Sequence, residues 1–215
     1  MKFSFNTFSL ASIALSLVSS VSAAFDGCPV NLAVQITTNL QTGNIHFDYA
    51  NCHLDDTGNG YAVGILNFLT NGPDVYQIVN AYDIITGSDN EFNDMRDTLK
   101  QYADDSNSST EGLDGFCDAW KQAANNDKFK SAQNVFLMEN YFTPSQEYAS
   151  DLGLQLSVSK ALMFDSGVVY GTDNSSGSLG GLIKKTNKLV TEDDINEGDE
   201  EPFTITNGDT EYKIS

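Results

Sequence analysis

The chain has 215 residues, with 11 basic and 30 acidic side chains, a formal charge of −19 and a mean hydropathy of −0.28. A field of that sign repels nucleic acid and anionic membrane surfaces and draws in polycations. It also keeps an acidic protein soluble, so charge alone names no partner.

Residues 1–23, MKFSFNTFSLASIALSLVSSVSA, carry Lys2, a Ser-rich apolar core and a Val21-Ser22-Ala23 end. That pattern predicts a secretory signal cleaved after Ala23, and hence a secreted, extracellular protein. The apolar run is too short to span a bilayer, and no later stretch is long enough. Removing the leader takes Lys2 with it and leaves 10 basic against 30 acidic side chains, a formal charge of −20. About 190 residues remain, enough for one domain with its own core. Three cysteines survive processing: Cys28, Cys52 and Cys117. An oxidising compartment favours one disulfide, expected between Cys28 and Cys52 because both flank the first helix region. Asn107-Ser108-Ser109 and Asn174-Ser175-Ser176 make Asn107 and Asn174 expected glycosylation sites.

The rest reads mainly as helix. Pro29 suits the first turn of a helix with Val30, Ala33, Ile36 and Leu40 on its inner side. A polar loop, HLDDTGNGY, leads into a short buried segment, 64–69. Pro73 opens a helix carrying Val75, Ile78, Val79 and Tyr82; Phe92, Met95, Leu99 and Tyr102 mark the next. Residues 104–115 are a surface loop. Phe116, Trp120 and Ala124 predict a fourth helix and 132–141 a fifth. From Tyr148 to Val169 the chain is apolar nearly all round, which predicts one long, central, buried helix. Asp165 near its end must then be paired or face a cleft. A short basic helix follows over 179–189. Residues 191–201 hold seven acids and no base, a solvated linker. Asn207-Gly208 between alternating stretches predicts a terminal hairpin. The expected division is leader 1–23, helical domain 24–190, and acidic linker with hairpin 191–215.

Few chemistries fit. Asp55, Asp56, Asn59 and Gly60 lack the ligand alternation and distal Glu of a calcium loop. The two histidines, His46 and His53, have no matching cluster for zinc. There is no Gly-x-Ser-x-Gly elbow and no phosphate loop. No metal or cofactor is expected. Carboxylate chemistry of the glycosidase kind is what an acidic helical scaffold leaves.

Four stretches sharpen this. TGNGYAVGILNFLTNGPD (57–74), FCDAWKQAANNDKFKSAQN (116–134), ENYFTPSQEYASDLGLQLSVSKALMFDSGVVYG (139–171) and SLGGLIKKTNK (178–188) stand in this order. Together they resemble the chitosanases of glycoside hydrolase family 46, over a span from about Val30 to Lys188. The resemblance implies a lysozyme-like, two-lobed helical fold with a cleft. It also implies inverting hydrolysis of β-1,4 bonds in chitosan, with a Glu as acid, a loop Asp as base and a Thr orienting the water. That mechanism needs two carboxyls far enough apart to admit water.

Residue by residue the match fails at the chemistry. Gln41 stands at the acid position, Thr57 at the base position and Ala62 at the water-orienting position. A carboxamide has no acidic proton to give, and a lone hydroxyl is no base. Asp56, one residue away, is the possible substitute base. Asp74 matches the family Asp that contacts the sugar amine. Asp165 matches the Asp behind the acid, which in the family pairs with an Arg from a later helix; this chain has only Arg96. The resemblance therefore implies a monomeric homologue that binds chitosan or glucosamine oligosaccharides, with hydrolysis weak or lost. Two alternatives stand beside it: an active endo-chitosanase working through Asp56, and a secreted acidic scaffold for a protein partner.

Overall fold

The computed structural model describes residues 28–87, 89–189, 203–207 and 210–214. The expected leader, the acidic linker and the turn residues of the terminal hairpin lie outside the described residues. The chain divides into two compact units, 1–172 and 173–215.

The first unit is mainly helical, as expected. Helix α1 (Cys28–Thr42) leads to a small antiparallel sheet of β1 (Cys52–Leu54), β2 (Tyr61–Val63) and β3 (Phe68–Leu69), in the order β1-β2-β3. The register sets Cys52 opposite Val63, His53 opposite Ala62, and Ala62 opposite Leu69. A 3-10 turn, Gly64–Leu66, joins β2 to β3 and is buried throughout. Gly64 has φ +68, and a Cβ there would run into the Gln133 amide and the Trp120 ring. Only glycine fits so tight a site. Helix α2 (Pro73–Thr86) starts with Pro at its first turn, where no N–H is missed. Then come α3 (Arg96–Asp105), α4 (Phe116–Ala123) and α5 (Asp127–Leu137), the last capped by the Asn126 side chain accepting from Lys128 N. Without a break α5 passes into a π-turn, Met138–Phe142, and on into α6 (Thr143–Asp151); α7 (Ser157–Tyr170) follows after a turn. The fifth helix thus begins five residues before the expected 132, and the third begins at Arg96 because Phe92 and Met95 form a turn closed by Met95 N donating to Phe92 O.

The core is an aromatic cluster under the sheet. Trp120 meets Phe129 at 4.8 Å between ring centroids, Tyr82 meets Phe129 at 5.0 Å, and Phe92 meets Phe129 at 5.5 Å. The Trp120 indole N–H donates to Tyr49 O at 2.9 Å, and buried Gln133 donates to the same carbonyl at 3.0 Å. Both bonds anchor the segment that enters β1.

Three expectations are corrected here. The disulfide joins Cys52 to Cys117, with Cα atoms 5.4 Å apart, so Cys28–Cys52 is excluded. The sheet lays β1 against the first turn of α4, a contact between residues 65 apart that proximity along the chain could not show. The long helix is not continuous. Gly153 at φ +67 ends α6: Gly153 N donates to Ser150 O and Leu154 N to Ala149 O, a Schellman stop. Nor is its second half buried all round, since Leu156 and Leu162 are 67% and 62% exposed. Finally, α1 buries Ala33, Val34, Thr37 and Thr38, while Ile36 and Leu40 face outward. The apolar spacing held for Val30 and Ala33 but not for Ile36 and Leu40, because the helix turns Val34 and two threonines toward its neighbours.

In the second unit, helix α8 (Leu179–Leu189) begins after a serine-rich turn in which the Ser178 hydroxyl donates to Asp173 O at 2.6 Å. Strands β4 (Phe203–Asn207) and β5 (Thr210–Ile214) pair as the expected hairpin, with Asn207 opposite Thr210.

Candidate functional site

Gln41 lies half-buried in the last turn of α1. Its carbonyl accepts from Asn67 Nδ2 at 2.6 Å, and Asn67 Oδ1 accepts from Asn51 Nδ2 at 2.6 Å. Asn67 adopts φ 54, a left-handed conformation that asparagine tolerates, and so closes the 3-10 turn. Two amides thereby tie the end of α1 to the sheet, beside the loop that carries the base position.

That loop is the β1–β2 turn. Asp55 N donates to Gly60 O at 2.9 Å, and Gly58 N donates to Asp55 O at 3.0 Å. Gly58 and Gly60 take φ of +82 and +85, which lets six residues reverse the chain. Thr57, exposed at the tip, donates its hydroxyl to Asp55 Oδ2. The same oxygen accepts from Asn59 N at 3.1 Å and Asn59 Nδ2 at 3.0 Å. These donors, Thr57 foremost, hold the Asp55 carboxyl below its usual range. Asn71 Nδ2 then bonds Asn59 Oδ1 at 3.1 Å and Ser108 Oγ at 3.2 Å, fastening the turn to the loop bearing Asn107. Asp56 is exposed beside it. Ala62 is buried in β2 and supplies no hydroxyl. A buried hydroxyl on the neighbouring strand end is that of Thr70, which accepts from Tyr61 N at 2.9 Å. Sequence reasoning weighed Asp55 only as an acid of a loop that does not fit calcium, and passed over Thr70, which the pairing of β2 with β3 sets against Tyr61.

Asp74 sits in the first turn of α2. Tyr141, from the π-turn, donates its phenol to Asp74 Oδ2 at 2.5 Å. Burial pushes the Asp74 carboxyl up to about 6, and the Tyr141 bond holds it from rising further. Tyr141 was missed by the sequence reading; its signal, a tyrosine before Phe-Thr-Pro, is weak without the fold.

Asp165 on α7 joins none of these groups. Its Oδ1 is sealed from solvent with no hydrogen-bond partner. Arg96 is engaged elsewhere: its Nε lies 2.6 Å from Asp83 Oδ2, and Asn90 Nδ2 bonds Asp83 Oδ1. Asn107 follows the left-handed Ser106 cap of α3 and accepts from Ser109 N at 2.9 Å, and Asn174 is exposed in the second unit. Among the described residues no group of three or more His, Cys, Asp or Glu is placed to hold a metal ion, and no helix is long and apolar enough to cross a membrane.

A mainly helical scaffold with a small sheet beside the end of its first helix, and a half-buried carboxylate opening the next, defines a lysozyme-like glycoside-hydrolase class. The chain belongs to glycosyl hydrolase family 46, whose profile matches residues 34–209, running past Lys188 where the motif likeness ended. A chitosanase of Bacillus subtilis (strain 168) is 29% identical over 156 residues, covering 73% of this chain; the chain spans 56% of that relative's length. Native chitosanase from Bacillus subtilis MY002 superposes with a TM-score of 0.71 at 27% identity, over 76% of this chain and 68% of the other. The Gynuella sunshinyii family 46 chitosanase in complex with chitotetraose gives a TM-score of 0.71 at 26% identity, over 75% and 66%.

Proposed function

We propose that this protein binds chitosan or glucosamine oligosaccharides and hydrolyses them weakly or not at all. The observation that carries the reading is the pair Gln41 and Thr57: a carboxamide at the acid position, and at the base position a hydroxyl already committed to Asp55. Neither can carry the proton transfers that inverting hydrolysis needs. The family membership, the acidic charge and Asp74 all support retained binding of a cationic sugar polymer. The leader 1–23 supports delivery outside the cell, where such a polymer is met.

A second reading has its own observation. Asp55, one residue before the expected substitute Asp56, bonds directly to Thr57, so a carboxylate does stand at the base position's side. If either acid serves as base, some turnover remains. Reducing-end release from chitosan separates the two: wild type is expected to be at background, while retention on a chitosan column is lost in Asp74→Ala. Turnover abolished by Asp55→Asn or Asp56→Asn would establish the active reading instead. Gln41→Glu with Thr57→Asp is expected to raise hydrolysis by about a hundredfold or more, in line with what one positioned acid or base contributes.

A further inference from the structure

The Tyr141–Asp74 pair is built more tightly than helix packing requires. The Tyr141 ring stacks on Phe68 at 6.4 Å with 27° between planes, and meets Phe136 edge-on at 6.1 Å. A phenylalanine would satisfy both contacts. The hydroxyl serves Asp74 alone, at 2.5 Å, the short end of a charge-assisted O–H···O⁻ bond. The backbone makes a special arrangement to put it there: residues 138–142 widen into a π-turn between α5 and α6, a form often found at functional sites.

We propose that Tyr141 is a positioning residue for the substrate's ammonium group: its phenol fixes Asp74 through Oδ2, keeps that carboxylate ionised, and leaves Oδ1 to receive a glucosamine amine. The inference rests on the glucosamine-binding reading above and extends it to a residue outside the catalytic positions. A half-buried carboxyl without this donor drifts toward its neutral form, which no ammonium prefers. The groups on the elements packed against α2 do not compete for Asp74. Arg96 and Lys100 of α3 pair with Asp83 and Asp104, and Lys130 of α5 pairs with Asp127. Glu139, on the same π-turn as Tyr141, is exposed.

The test uses the whole chain, a glucosamine tetramer as probe, and two readouts. One is the carboxyl NMR titration of Asp74 without ligand; the other is calorimetric affinity for the tetramer across roughly pH 4 to 8, spanning the Asp and ammonium ranges. Tyr141→Phe is expected to keep the fold, to move the Asp74 midpoint alkaline by about one pH unit, and to weaken binding about tenfold near pH 6 with recovery at higher pH. Asp74→Asn should remove that pH-dependent limb. Tyr141→Leu should lose stability that Phe restores, while Phe does not restore the midpoint. An unchanged Asp74 midpoint in Tyr141→Phe overturns the proposal. A shifted midpoint in a protein that binds no tetramer at any pH upholds the coupling and sinks the glucosamine reading instead.

Discussion

Single side chains decide the chemistry of this protein, and Asp74 shows how. Its carboxyl is pushed from an ordinary 3.8 to about 6 by burial. The folded state therefore holds a proton between those values that the unfolded chain has released. Stability contributed by the neutral form is present below about pH 4 and is lost as pH rises through 6. Asp74→Asn should match wild type near pH 4 and exceed it at pH 8 by up to about 3 kcal/mol in urea unfolding. A variant that matched wild type at both pH values would show that the carboxyl is not desolvated as the structure has it. Gln41 and Thr57 stand where the resemblance expects an acid and a base, and neither side chain carries a carboxyl. The identity of those two residues was fully legible in the sequence. The partner of Asp74 was not, because the hydrogen bond from Tyr141 depends on how distant segments meet.

At the scale of elements, glycine placement does much of the specifying. Gly153 and Gly64 both sit at positive φ, but in different surroundings. A Cβ on Gly153 meets nothing within 4 Å, so Gly153→Ala should cost only the left-handed backbone penalty, about 1 kcal/mol. Gly64→Ala adds a collision with Gln133 and Trp120 in the core and should cost on the order of 2–4 kcal/mol. Equal costs in urea unfolding would contradict the packing around the 3-10 turn. The break at Gly153 also explains why one long buried helix was expected and two shorter ones formed. Apolar composition over Tyr148–Val169 suggested burial, yet Asp-Leu-Gly-Leu holds a C-terminal stop, and α7 buries only Phe164 and Gly167 fully. The terminal hairpin was the opposite case: alternation around Asn207-Gly208 is a local signal, and the strands pair as it predicted.

For the molecule as a whole, the Cys52–Cys117 bond closes a 65-residue span across the sheet and α4. In the chain-entropy account a loop of that length is worth about 4 kcal/mol. Peptide mapping without reduction should recover a linked pair containing Cys52 and Cys117, and Cys52→Ala with Cys117→Ala should lower the unfolding free energy by roughly that amount. Recovery of a Cys28–Cys52 pair would overturn the arrangement of β1 against α4. The acidic excess acts at the same scale, as a field that favours cationic partners from a distance.

By itself the sequence determined a helical domain through periodicity and turn glycines, and four ordered motifs gave its resemblance to family 46, because those signals are local. It also carries the expectation, taken from the resemblance, that Gln41 and Thr57 stand where an acid and a base would be, since residue identity needs no coordinates. Only the tertiary structure decided which cysteines join, which face of α1 is buried, that Arg96 belongs to Asp83, and that a tyrosine 67 residues downstream holds Asp74. Each of those is a contact between segments far apart in the chain. Pairing at that range is chosen by how the whole core packs, not by any pattern within either segment.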